Sequence, residues 1–165
     1  MKTAIILGSS RSHGNTSQLA HYAKQVINAD YFDLRNYEIS PFDYNNQYQD
    51  DFNQLISTLL QYEQLIFATP MYWYSASAQM KLFLDRLSDL LSFDKDKGRL
   101  LRGKQAALLA TGSDIKPPEC FEQVFKLSFN YLGINYKGMS YCSCPGDIDL
   151  DSHRDNINAL MNKLG

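Results

Sequence analysis

Short apolar runs alternate along the chain with segments whose apolar residues recur at helical spacing, the pattern of an α/β protein. Thr3–Leu7 carries no polar interruption after its first residue and predicts a strand buried on both faces. Asn15–Asn28 predicts a helix with Leu19, Ala23, Val26 and Ile27 on one face, and Asn15 and Gln18 have the spacing of a capping box at its start. Ala29–Asp33 is a weaker strand, and Pro41–Gln49 a polar, aromatic loop. Asp51 with Gln54 repeats the capping pattern and opens a helix to about Tyr62. Gln64–Ala68 predicts a third strand ended by Thr69-Pro70. A helix follows from Ser75–Ser77 to about Ser92, with Met80, Phe83, Leu84, Leu87 and Leu91 as its stripe. Asp94–Lys104 is charged, contains Gly98 and Gly103, and predicts a solvated connection. Gln105–Ala110 is the fourth strand. Pro117-Pro118 starts a helix faced by Phe121, Val124, Phe125 and Leu132, and Gly133 stops it. Ile134–Tyr141 is the fifth strand. Asp151-Ser152 caps a last helix carrying Ile157, Leu160, Met161 and Leu164.

Five strands, each followed by a helix, predict a doubly wound parallel sheet with right-handed crossovers and the order 2-1-3-4-5. In that order ligands bind beyond the carboxyl ends of strands 1 and 3, where the winding reverses. The loops after Leu7, Ala68 and Ala110 therefore define the expected site.

Length and charge narrow the picture. At 165 residues the chain predicts one domain spanning 1–165. Its 16 basic and 18 acidic residues, for a net charge of -2, give no electrostatic footprint for nucleic acid. No apolar stretch approaches the ~20 residues of a membrane helix, and the first run is too short for a signal-peptide core. A soluble, cytoplasmic protein is expected. Three cysteines, an odd count, fit a reducing compartment. Cys142-Ser143-Cys144 lacks the spacing of a zinc pair or a C-x-x-C motif, so no metal site is expected, and small residues at a strand end account for it. The 13% aromatic content exceeds what the core pattern alone requires.

The first loop reads Gly8-Ser9-Ser10-Arg11-Ser12-His13-Gly14-Asn15-Thr16. Free N–H groups and the dipole at the start of the following helix make an anion site. Ser9, Ser12, Asn15, Thr16 and Ser17 can donate to phosphate oxygens, and Arg11 adds charge. Asn15 stands after Gly14 where a Walker A loop needs Lys, and G-x-G-x-x-G is absent. No Cys nucleophile lies in the loop, which excludes a phosphatase of this topology. A receiver domain needs an acidic pair after strand 1 and an Asp after strand 3, and neither is present. The loop therefore fits a bound phosphomonoester that is not itself transformed; an ordinary polar turn is the other reading.

The second loop, Thr69-Pro70-Met71-Tyr72-Trp73-Tyr74-Ser75-Ala76-Ser77, places three consecutive aromatics at the crevice. Such rings cover a flat ligand, close an interface, or pack beneath their own loop. The third loop, Thr111-Gly112-Ser113-Asp114, is small, and Gly112 permits close backbone approach. A phosphate cradle, an aromatic shelf and a small-residue wall together describe a flavin mononucleotide (FMN) site.

These two stretches, the second extended through Ala78-Gln79-Met80-Lys81, resemble the NAD(P)H-dependent FMN reductase and quinone reductase group of flavodoxin-like proteins. The resemblance runs from the first strand through Lys104–Ser113. It implies FMN as cofactor, NAD(P)H as co-substrate, and a homodimer. Carried onto this sequence, it makes Ser9, Arg11, Asn15, Thr16 and Ser17 phosphate-side residues. Pro70, Met71, Tyr72, Trp73, Tyr74 and Ser75, with Thr111 and Gly112, become ring-side residues. Related iron–sulfur flavoproteins carry a cysteine series after strand 2. Here Ser40–Asn46 has no Cys, so the thiolates a cluster needs are missing. Phe42–Tyr48 either covers the flavin or substrate or forms a surface turn.

The implied reaction is ping-pong: NAD(P)H reduces the flavin, the nicotinamide leaves, and a small quinone, azo or nitro compound or free flavin takes the electrons. No side chain stands out as an acid or base. His13 lies in the phosphate loop; His21 and His153 read as helix-surface residues, and Asp85-Arg86 as helix surface or dimer pairing. Two other functions stay open on the same fold. One is a flavodoxin-type electron carrier, which the modest charge disfavours because carriers dock through strong charge. The other is a flavin-free binding module.

Overall fold

The computed structural model describes residues 1–164. Its elements in chain order are β1 (Thr3–Leu7), α1 (Asn15–Ile27), β2 (Asp30–Asp33), α2 (Phe52–Leu59), β3 (Gln64–Tyr72), β4 (Ser75–Ala76), α3 (Ala78–Arg86), α4 (Asp89–Ser92), α5 (Lys95–Arg99), β5 (Gln105–Gly112), α6 (Glu119–Leu132), β6 (Asn135–Ser143) and α7 (Arg154–Asn162). The parallel sheet runs β2-β1-β3-β5-β6, with β4 a short antiparallel arm on β3. With that arm set aside, the order is the expected 2-1-3-4-5.

Alternate residues of each central strand serve opposite cores. Ala4 and Ile6, Leu65 and Phe67, and Ala106 and Leu108 face the α2–α3–α6 layer. Ile5 and Leu7, Ile66 and Ala68, and Ala107 and Leu109 face α1 and α7. Burial on both faces is why these strands read as unbroken apolar runs. The aromatic surplus is unevenly shared: Phe52, Phe67, Phe83, Phe121, Phe125 and Phe129 all lie in the first layer.

Several expectations are corrected. β3 does not stop at Thr69-Pro70; it pairs with β5 through Pro70↔Thr111 and then turns back into β4. β1 has already ended at Leu7, paired with Ala68, so Pro70 falls where the strand is an edge on that side. The helix expected to reach Ser92 breaks after Arg86, where Leu87 and Ser88 donate to carbonyls three residues back. Neither Gly nor Pro marks that break. The connection after Asp94 holds the short helix α5, because the Asp94 carboxylate accepts from Lys97 N at its start. Neither expected capping box forms. Gly14 is the N-cap of α1, and the Asp51 carboxylate accepts from Glu38 N. Asp151 and Ser152 lie in a 3-10 turn ahead of α7, which starts at Arg154.

The close approach of the first loop to α3 fixes the frame of the site. A Cβ on Gly8 would lie 2.6 Å from Met80 Cβ and 2.8 Å from Met80 backbone atoms. Ser77 Oγ donates to Gly8 O at 2.6 Å and accepts from Met80 N, locking the start of α3 to this turn. Gly8→Ala is expected to cost about 1–3 kcal/mol through overpacking. A urea midpoint unchanged from wild type would refute this packing.

Candidate cofactor site

The three expected loops meet at one cavity of about 230 Å³. Ser9, Arg11, Gly14, Asn15 and Thr16 line it from the first loop, Pro70, Met71 and Tyr72 from the second, and Thr111 and Gly112 from the third, with Ser113 and Cys144 completing the wall. Eleven of these twelve residues come from the three loops that the crossover order marks out, Gly14 and Ser113 among them although neither is expected as a site residue; the twelfth, Cys144, comes from just beyond the end of β6.

The N-terminus of α1 points its first-turn N–H groups, which have no intrahelical acceptor, toward the cavity. No side chain caps it, since the N-cap is Gly14. Arg11 is exposed at the rim and, among the described residues, pairs with no carboxylate. Thr16 Oγ1 and Thr111 Oγ1 lie 2.6 Å apart, tying the first and third loops across the buried floor. Open helical donors, an unpaired guanidinium and small hydroxyls suit an anionic phosphate end. Pro70, Met71 and Gly112 supply an apolar flank beside it. This donor set fits FMN.

Not every expected residue reaches the cavity. Ser17 is buried and donates to Ser12 O at 2.7 Å, shaping the loop from behind. Trp73 and Tyr74 form the two-residue tip of the β3–β4 hairpin, with φ of 49° and 61°. Positive φ at both tip residues is the pattern of a type I′ turn, which usually takes Asn-Gly. Here two aromatics hold it, at an order of 1–3 kcal/mol each. Trp73 is 95% exposed, and neither it nor Tyr74 or Ser75 lines the cavity. Tyr72, with its hydroxyl 3.4 Å from Ser10 Oγ, is the aromatic that does.

Asn15 has a second task. Its Nδ2 donates to Gly146 O at 2.7 Å and its Oδ1 accepts from Ile148 N, holding the segment after β6 against the first loop. That brings Cys144 to the cavity wall, where Cys144 N also donates to Gly112 O at 2.7 Å. The neighbouring Cys142 faces the core, and burial pushes its thiol up to about 12. Cys120 is exposed on α6. In the sequence Cys144 reads only as a small residue at a strand end; its position three residues beyond the expected end of the fifth strand is the available signal.

Arg86 is not on a surface. It is fully buried, with Nε donating to Asp89 Oδ2 at 2.9 Å and Nη1 donating to Asp50 and to Ser40 O. Its guanidinium lies 3.4 Å from the Tyr48 ring centroid. The segment between β2 and α2 is thereby clamped onto α3 and α4. His13 is exposed and lines no part of the cavity, His21 contacts Ser17 O and the Tyr31 ring, and His153 lies 3.3 Å from Ser143 O. No three His, Cys, Asp or Glu side chains converge as a metal-binding group among the described residues.

Comparison with known proteins follows the same lines. Residues 1–142 match the family model described as NADPH-dependent FMN reductase. A Bacillus subtilis (strain 168) relative, provisionally named NAD(P)H-dependent FMN-containing oxidoreductase YwqN, is 37% identical over 162 residues, covering 90% of this chain and 89% of the relative. The solved Trp repressor binding protein of Bacillus subtilis superposes with a TM-score of 0.76 at 32% identity, over 99% of this chain and 98% of that one. The FMN-dependent NADH-azoreductase of Bacillus anthracis, solved with FMN, gives a TM-score of 0.69 at 11% identity, over 99% and 98%, and shares the fold.

Proposed function

The chain belongs to the NADPH-dependent FMN reductase family, and from that membership and the cavity's donor set we propose that it is an FMN-dependent oxidoreductase that takes hydride from NAD(P)H and reduces a small electrophilic acceptor. The observation that carries this reading is the uncapped N-terminus of α1 opening, beside Arg11, onto the same cavity as Pro70, Met71 and Tyr72. Bound FMN supplies the redox chemistry, accepting hydride from NAD(P)H and passing the electrons on.

The chain's own residues bind and orient. Arg11, Ser9, Thr16 and the first-turn amides of α1 hold the phosphate end, with Ser17 bracing the loop behind them. Pro70, Met71, Tyr72, Thr111 and Gly112 flank the ring side. The Thr16–Thr111 hydrogen bond fixes the spacing between these two walls. The cavity is open on its outer side, so donor and acceptor can use one entrance in turn, as a ping-pong sequence requires. The acceptor class is a small quinone, azo or nitro compound or free flavin. No helix is long and apolar enough to cross a membrane among the described residues. A reducing cytoplasm suits the three free cysteines.

Purified protein supplied with FMN is expected to take it up and to oxidise NADPH or NADH only when a small quinone is present. FMN uptake without turnover would favour a carrier, and no uptake would overturn both flavin readings.

The homodimer implied by the family has a suitable face. Leu127 and Tyr131 on α6 are 62% and 79% exposed and, with Leu84, Leu87 and Leu91, border an apolar groove of about 330 Å³. Exposed apolar ground of this kind supports an interface between copies. Light scattering is expected to give twice the chain mass, and Tyr131→Glu to shift it to one.

A further inference from the structure

Another hollow, of about 220 Å³, is lined by Leu34, Arg35, Tyr37, Ile39, Gln79 and Leu82. Arg35 connects it to the first loop. Arg35 Nη1 donates to Ser10 O at 3.0 Å, and Ser10 lies between Ser9 and Arg11, both of which line the cofactor cavity. Ser10 Oγ is also 3.4 Å from the Tyr72 hydroxyl on the ring-side loop. Ser10 is thus contacted by one residue from each hollow, Arg35 from this one and Tyr72 from the cofactor cavity.

The chemistry of this hollow differs from that of the first. One guanidinium stands among an aromatic ring, three aliphatic side chains and one carboxamide. Among the described residues Arg35 pairs with no carboxylate. The nearby Asp33 is engaged by Arg35 N at 3.0 Å, where it starts the 3-10 turn that presents Arg35. Arg35 is exposed, so its charge is available to a ligand arriving from solvent. Arg11 and Arg35, both without an ion pair among the described residues, thus line separate hollows, Arg11 the cofactor cavity and Arg35 this one.

We propose that this hollow binds the 2′-phosphoadenosine half of NADPH, with Arg35 on the 2′-phosphate and Tyr37, Ile39 and Leu82 against the adenine. Arg35 thus sets a preference for NADPH over NADH. An arginine beside a ribose 2′-position is the general means of accommodating that phosphate. Gln79, in the first turn of α3, offers a carboxamide for the edge of a purine. The proposal rests on the donor reading given above and adds to it which donor and through which residue.

The test uses the FMN-loaded protein and two probes read by calorimetry, adenosine 2′,5′-bisphosphate and 5′-AMP. Wild type is expected to bind the bisphosphate at least about tenfold more tightly than 5′-AMP, in line with a charge-assisted hydrogen bond. Arg35→Ala is expected to abolish that difference, and Arg35→Lys to restore part of it. In turnover, Arg35→Ala raises KM for NADPH about tenfold and leaves KM for NADH and the FMN affinity unchanged. Equal binding of the two probes to wild type would overturn the proposal. So would an Arg35→Ala variant that loses FMN and both donors alike, because Arg35 would then only prop the Ser10 carbonyl. Failure of the oxidoreductase reading is separate: neither dinucleotide would reduce the loaded protein, whatever the probes do.

Discussion

Arg86→Ala is expected to lower the stability of the fold by about 3–5 kcal/mol, because it strips the cation from a buried pair and leaves its partners charged. Asp50 and Asp89 are both buried against the Arg86 guanidinium, with side chains 2% and 6% exposed. The loss also frees the chain between Ser40 and Asp50, which Arg86 holds through Ser40 O and the Tyr48 ring. Urea unfolding measures the first effect, and protease cleavage within 41–49 the second. A midpoint within error of wild type would show that the clamp contributes nothing. Burial by itself would raise the Asp50 carboxyl, but the Arg86 hydrogen bond and the Ser40 and Phe52 amides outweigh it and hold it below its ordinary 3.8. A lowered carboxylate stabilises the folded state above its unfolded value, and that contribution disappears as pH falls through the folded value. Wild type is therefore expected to lose stability steeply below about pH 4, and the Arg86 variant to lose less of it there.

The largest functional effect is expected at Arg11. Arg11→Ala removes about 2 kcal/mol of charge-assisted binding, roughly thirtyfold in FMN affinity. Arg11 is exposed and has no ion pair to lose among the described residues, so the melting of the FMN-free protein stays within about 0.5 kcal/mol of wild type. Titration of FMN by fluorescence quenching, beside thermal melting, separates the two. An unchanged FMN affinity would remove Arg11 from the phosphate site.

Local pattern was enough for the frame and for most of the cavity. The central strands announced themselves because burial on both faces leaves no polar interruption, and the crossover order then marked three loops whose residues converge. What stayed hidden depended on contacts distant in sequence or on backbone choices without a signature. Arg86 follows an acidic residue on a helical segment and reads as surface; its partners Asp50 and Ser40 are 36 and 46 residues away. Asn15 looked like a capping residue, yet its carboxamide is engaged by Gly146, 131 residues on. Trp73-Tyr74 carries none of the Asn or Gly that marks a tight hairpin, so nothing forecast that β3 would continue past Pro70 and lift two rings out to the tip. The aromatic shelf is consequently narrower than the run of rings suggests, with Tyr72 its one cavity-lining aromatic.

Anaerobic titration of the FMN-loaded protein with NADPH and with NADH decides whether the protein takes hydride from a nicotinamide. The flavin absorbance is expected to bleach at one equivalent of NADPH and to need an excess of NADH. Flavin that stays oxidised with both donors in excess would contradict the oxidoreductase reading.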